Sequence, residues 1–187
     1  MKVNLCILIT ILNFNFFGMD YYIEANVKTN CKDDFPSGLS FFFEQLGGFE
    51  EKSMVSQVEK ILKIDLSSFQ DYDFEGEESP NKHWKNIKVF EKTIDDLLSK
   101  IKANPNYYKK VKYNPANPPD YGYSSNKKEM EQIRQKQKQY EKSPWFGYPV
   151  DNGYLRSNKF VTELNQLKSI LNCYKKHGAT KIKLSYY

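Results

Sequence analysis

The chain has 187 residues with a formal charge of +5, 27% charged and 16% aromatic residues. That length fits one domain able to bury a real core, and the aromatic content argues against disorder. Three cysteines are too few for a disulfide-dense scaffold, and the P-loop, the dinucleotide glycine fingerprint and HExxH are all missing, which removes the best-marked nucleotide and zinc-hydrolase chemistries.

The N-terminus opens with Lys2 and the apolar run "LCILITIL", the first two features of an export signal. The cleavage site is weak: "NFNFF" interrupts the run, and a cut after Ala25 would fall inside "DYYIEANVK". There Tyr21, Ile23, Ala25 and Val27 alternate with polar residues at the period of a half-buried strand. Residues 1–18 are therefore read as a signal peptide or an over-called extension, with one α+β domain over 19–187. The balance falls narrowly to a cytoplasmic protein, against a secreted or periplasmic one. The apolar stretch is too short for a membrane span, and none is expected after residue 18.

After turn chemistry at "CKDDFPSG", Leu39, Phe42, Phe43 and Leu46 fall at i, i+3, i+4 and i+7 before a glycine pair, the pattern of a short core helix. A second helix is expected from the cap Ser53, with Val55, Val58 and Leu62 inward. Residues 64–74 read as an extended strand leading into "DYDFEGEE", where Asp71, Asp73, Glu75, Glu77 and Glu78 give a net charge of −5. A helix over 84–103 carries the stripe Ile87, Phe90, Ile94, Leu97, Leu98 and Ile101 and stops at Asn104-Pro105. "NPNYYKKVKY" restarts a helical turn, and a proline-rich loop follows.

Residues 127–142 have strong helix formers but only Met130, Ile133 and Tyr140 as anchors, so that helix is expected to be mostly solvated. The loop "SPWFGYPVDNGYLRS" is aromatic and turn-rich, the kind that is pinned to a surface or forms one. The last unit is a helix with Phe160, Leu164, Leu167, Leu171 and Tyr174 inward, Gly178 as cap, and a strand alternating Ile182, Leu184 and Tyr186. Pairing of the first and last strands gives a small, mostly antiparallel sheet packed by amphipathic helices, an α+β fold.

Chemistry is sparse. The acidic run has calcium-loop spacing in its first half, but Lys82 stands where the twelfth-position glutamate is required, so no metal is expected. His177 beside Gly178 reads as a helix C-terminal residue favoured by the dipole. Cys31–His83 or Cys173–His177 would be conceivable nucleophile pairs, yet each cysteine is better read as a small buried hydrophobe. Cys31 and Cys173 are the only two that could pair once Cys6 is discounted with the leader. No cofactor and no catalytic residue is expected.

Residues 100–142 hold eleven basic residues against four acids. Lys100, Lys102, Lys109, Lys110 and Lys112 with Tyr107 and Tyr108 form the alternative case, phosphate neutralisation plus base stacking. Arginine is limited to Arg134 and Arg156, which weakens that case.

The opening "MDYYIEANV", the Trp-led helix ending in "NPNYYKKV" and the closing "KKHGATKIKLSY" together resemble immunity proteins of bacterial polymorphic-toxin systems. The likeness is one of general build over residues 19–187, with no diagnostic motif and so no functional residues to carry over. It implies a non-enzymatic protein that binds one cognate toxin and blocks its active site or substrate groove. Expected contact residues are the acids Asp71, Asp73, Glu75, Glu77 and Glu78, which would steer onto a basic toxin, and the loop aromatics Trp145, Phe146 and Tyr148. The rival reading is an exported effector or surface-associated protein.

Overall fold

The structure is a computed structural model that describes residues 21–44, 51–74, 82–114, 119, 122–149 and 152–186. The leader, Leu46 with its glycine pair, Glu75, Glu77 and Glu78, and most of the proline-rich loop lie outside the described residues.

The described chain forms β1 (Tyr21–Ala25), α1 (Ser37–Glu44), α2 (Met54–Leu62), α3 (Ser67–Gln70), β2 (Asp73–Phe74), β3 (Lys85–Asn86) and α4 (Ile87–Ala103). A 3-10 turn at Tyr107–Lys110 follows, then α5 (Lys127–Glu141), α6 (Gly153–Arg156), α7 (Lys159–Lys176) and β4 (Lys181–Tyr186). The fold is α+β, as expected.

The sheet is built around β4. Strand β1 pairs with it antiparallel in the register Tyr21↔Tyr186 to Ala25↔Ile182. Two short strands take its other edge: β2 pairs parallel at Ser185 and Tyr186, and β3 antiparallel at Lys181 and Ile182. Asn26 braces the start of β4, its Oδ1 accepting from the backbone N–H groups of Thr180 and Lys181, each at 3.0 Å.

One sheet face packs on the helices. Ile23, Ile182 and Leu184 are fully buried with Leu97 of α4 and Leu164, Leu167 and Leu171 of α7. Phe43 stacks on Phe69 with ring centroids 4.1 Å apart, and Phe69 meets Phe90, so α1, α3 and α4 share one aromatic seam. Ser53 and Gly178 cap helices where the sequence signals them, and Asn86 caps α4 where it was not expected to. Ser53 accepts from the N–H of Ser56 at 3.2 Å, and Asn86 accepts from Lys88 at 2.9 Å. Gly178 (φ 85°) closes α7: its N–H bonds to Lys175 O and that of Ala179 to Tyr174 O, the paired bonds of a Schellman end. Helix α5 buries no residue, in keeping with its poverty of anchors.

Three expectations are corrected. Residues 64–74 are not one strand: Leu66 and Phe69, three apart and both fully buried, are the inward positions of a helical turn, and only Asp73 and Phe74 join the sheet. The helix expected from Trp84 starts at Ile87, because Lys85 and Asn86 are drawn onto the edge of β4 and Asn86 then caps the helix. The cysteines are not simply small buried hydrophobes, and the pairing that the sequence left open is made. Cys31, in the segment after β1, is disulfide-bonded to Cys173 in the last turn of α7, 142 residues away.

Candidate functional site

The Schellman end of α7 decides where the most reactive groups meet. It places His177 at the C-cap, one turn beyond Cys173 and over the bridge. Its Nδ1 lies 3.0 Å from the carbonyl oxygen of Cys173, 3.5 Å from Cys31 Sγ and 4.0 Å from Cys173 Sγ. A carbonyl oxygen only accepts. With Nδ1 protonated the ring donates towards Cys173 O, and Cys31 Sγ lies 3.5 Å from the same nitrogen.

Both cysteines are half-buried, and His177 is exposed. Cys173 also lines a groove of about 600 Å³ between the segment leading into α1 and the outer face of α7, whose walls include Lys32, Phe35, Pro36 and Ile170. Among the described residues, Cys31, Cys173 and His177 are the one group of three with metal-ligand chemistry, their ligand atoms all within 4.8 Å of one another. As long as the S–S bond stands, neither sulfur is a thiolate, which is the form that binds metal.

The second charged centre contains one of the expected contact acids. Asp71 Oδ1 accepts from Nδ1 of the buried His83 at 2.6 Å, and Asp71 Oδ2 lies 3.5 Å from Lys85 Nζ. Burial alone would raise the Asp71 carboxyl, but the hydrogen bond from His83 and the charge of Lys85 outweigh it and hold it below the usual carboxylate value. Lys85 is held below its usual value by burial, although Asp71 opposes this. Its ammonium also donates to Ser68 O at 2.7 Å and lies 5.8 Å from the Phe90 ring centroid.

Asp73 is likewise turned to internal work, on the sheet face opposite the main core. Lys183 Nζ donates to Asp73 Oδ2 at 2.6 Å, lies 3.8 Å from Glu24 Oε2 and sits 5.8 Å from the Trp84 ring centroid. Ser185 donates to Glu24 at 2.9 Å. The two acids of the run that are described are thus bound to cations of this chain.

The expected aromatic contacts do come together at the surface. Trp145 and Phe146 are exposed, and Trp145, Tyr148, Tyr113 and Lys112 line one open groove with Val111 and Pro144. Trp145 and Tyr148 meet edge to face at 5.8 Å, and the Lys52 ammonium lies 5.4 Å from the Tyr148 ring centroid.

The lysine set is divided. Lys100 lines a groove with Lys63 and Lys92, whereas Lys110 and Lys112 line another with Lys52, Lys60 and Tyr148; Lys102 and Lys109 are exposed. Tyr107 is buried at 3% exposure, so its ring has no face for a base, and Tyr108 is half-buried. Burial raises the Tyr107 hydroxyl above its ordinary value.

Sequence reading missed the three-way meeting of Cys31, Cys173 and His177. The usable signal was the i, i+4 spacing of Cys173 and His177 next to a helix-ending glycine; nothing local marked Cys31. No family model, curated protein or solved structure matches this chain. No described helix is long and apolar enough to cross a membrane.

Proposed function

We propose that the chain is a non-enzymatic protein-binding module of immunity type that works in an oxidising compartment, reached through its N-terminal leader, where it captures a toxin acting there. The observation that carries the compartment is the Cys31–Cys173 disulfide. Disulfides form and persist in secreted and periplasmic proteins and are rare where thiol reductants prevail. This shifts the balance from the cytoplasmic expectation to its rival, and it joins the two leading sequence readings into one.

The binding face is the groove of Trp145, Tyr148 and Tyr113 with exposed Phe146 at its side. Exposed aromatics clustered around a groove are the residue types that anchor protein interfaces. The acids expected to steer the encounter contribute less to this reading than they did in the sequence, since Asp71 and Asp73 are paired within the chain. A nucleic-acid role draws less support, because Tyr107 is buried and the lysines line separate grooves.

Two measurements test the proposal. Intact mass and N-terminal sequencing of the protein from its source should find the leader removed ahead of Tyr21 and Cys31–Cys173 oxidised; an intact leader on cytosolic, reduced protein would overturn the compartment. Titration against the product of a neighbouring toxin gene should give a complex that Trp145→Ala weakens by tenfold or more, as for an interface anchor. No complex would overturn the immunity role.

A further inference from the structure

We infer that Cys31–Cys173 is an exchangeable bridge rather than an inert staple: a site for thiol–disulfide exchange in which Cys173 takes the incoming thiol, Cys31 leaves and His177 supplies the proton. This goes beyond the binding function and does not depend on it.

Three independent features assign the roles. The first is access: Cys173 lines the groove of about 600 Å³ and Cys31 does not, so the groove opens on the Cys173 half of the bridge. The second is the proton. Nδ1–H of His177 is fixed in direction by Cys173 O and lies nearer Cys31 Sγ, at 3.5 Å, than Cys173 Sγ, at 4.0 Å. The leaving sulfur is thus the one beside the acid, and a better-stabilised leaving thiolate departs faster. The third is the chemistry of the groove. Phe35, Pro36 and Ile170 give it apolar walls, and Lys32 and Asp34 give it one charge of each sign, which suits a thiol carried next to an apolar group, on a small molecule or on a peptide.

The step balances. The incoming thiolate forms a bond to Cys173 Sγ; the S–S bond breaks, and its electron pair goes to Cys31 Sγ, which takes the Nδ1 proton of the imidazolium form of His177 and leaves the neutral ring protonated at Nε2. His177 recovers a proton from solvent. A second thiol attacks the substrate sulfur of the mixed disulfide, releasing Cys173 and a substrate disulfide, so two electrons pass from two substrate thiols to the bridge. The segment between β1 and α1 is then no longer tied to α7.

The test uses the full chain carrying Cys6→Ser. It is treated with glutathione or, in parallel, with an N-acetylated Leu-Cys dipeptide, quenched in acid, alkylated and mapped by mass spectrometry. The expected result is a mixed disulfide on Cys173 with Cys31 alkylated. An adduct on Cys31, or an even split, would overturn the assignment. The dipeptide should react faster than glutathione per thiolate; equal rates would remove the groove from the argument. His177→Gln should slow reduction and reoxidation alike, by about tenfold or more, as for a lost general acid, while the reduction potential stays unchanged. Unchanged rates, or a shifted potential, would show that His177 does not act as the acid. Unselective exchange combined with tight Zn²⁺ uptake by the reduced chain would assign the trio to a metal instead.

Discussion

Tyr174, near the end of α7, donates a 2.6 Å hydrogen bond to the backbone carbonyl of Ile23 in β1. It is a buried link between elements 151 residues apart, and it falls one residue from the disulfide that joins the same regions of the chain.

Burial raises the Tyr174 hydroxyl to about 12, with the charges of Asp33 and Glu24 adding to the effect. A group raised in the folded state contributes stability that is present below its ordinary value of 10 and lost as pH climbs towards 12. Tyr174→Phe should cost about 1 kcal/mol at pH 7, the net worth of one hydrogen bond. At pH 11 that advantage of the wild type should shrink to nothing or reverse. Urea denaturation at the two pH values checks both parts.

Asp71 gives the opposite sign. Its carboxyl is held low by His83 and Lys85 against burial, so its contribution is present above the ordinary carboxylate value and is lost as pH falls through the depressed one. Half of the side chain remains exposed, and solvent screening limits the effect to about 1 kcal/mol. Asp71→Asn should be less stable than wild type at pH 7, and the two should converge below pH 3 in an acid titration followed by circular dichroism.

Lys183 has only 9% of its side chain exposed, and among the described residues Asp73 is the nearer of its two carboxylate contacts. Asp73→Ala removes the 2.6 Å partner of a buried ammonium whose contact with Glu24 is the longer one, at 3.8 Å, and should cost about 3 kcal/mol. Replacing the pair together, Lys183→Met with Asp73→Leu, should cost less than Asp73→Ala alone. Chemical denaturation of the three variants decides it; an equal or larger loss in the double variant would sink the idea.

Gly38 on α1 lies under a buried acid. A Cβ there would stand 2.5 Å from Glu163 Oε2 and 2.6 Å from Tyr154 Cε2, and those two side chains hold each other through a 2.6 Å bond from the Tyr154 hydroxyl. Gly38→Ala should therefore destabilise by about 1–3 kcal/mol. In a Glu163→Ala background the same change should cost markedly less, because the carboxylate it strikes is gone and the Tyr154 ring, still 2.6 Å away, has lost the hydrogen bond that holds it in place. A double-mutant cycle by thermal unfolding measures the difference.

The parts of this fold written in short-range pattern were legible, and those made by meeting across the chain were not. The stripe Phe160, Leu164, Leu167, Leu171 and Tyr174 names the buried face of α7 outright, and all five are buried. Alternation at Tyr21 and Ile23 and at Ile182 and Leu184 was enough to pair the first and last strands. The same alternation misleads about Lys183 and Ser185, which a two-period reading sends to solvent. Both are buried, because β4 is the central strand and Asp73, Glu24 and Trp84 close over its polar face. Asp71 and Asp73 looked like free surface charge because their cations, Lys85 and Lys183, arrive from other elements. Elimination left Cys31 and Cys173 as the one possible pair, but nothing local at either says that they meet across 142 residues.

The register of β1 on β4 sets Tyr21 opposite Tyr186, so the outer ends of the two strands leave the sheet side by side. Tension applied at those ends would peel the pair open one rung at a time, and would stop at Cys31–Cys173. Only the chain outside the covalent ring could be drawn out, roughly 85 Å at full extension. β4 would also have to leave β2 and β3, but the chain from α1 through most of α7 could not itself be drawn out until a thiol opened the bridge, which makes that bond the mechanical fuse of the molecule.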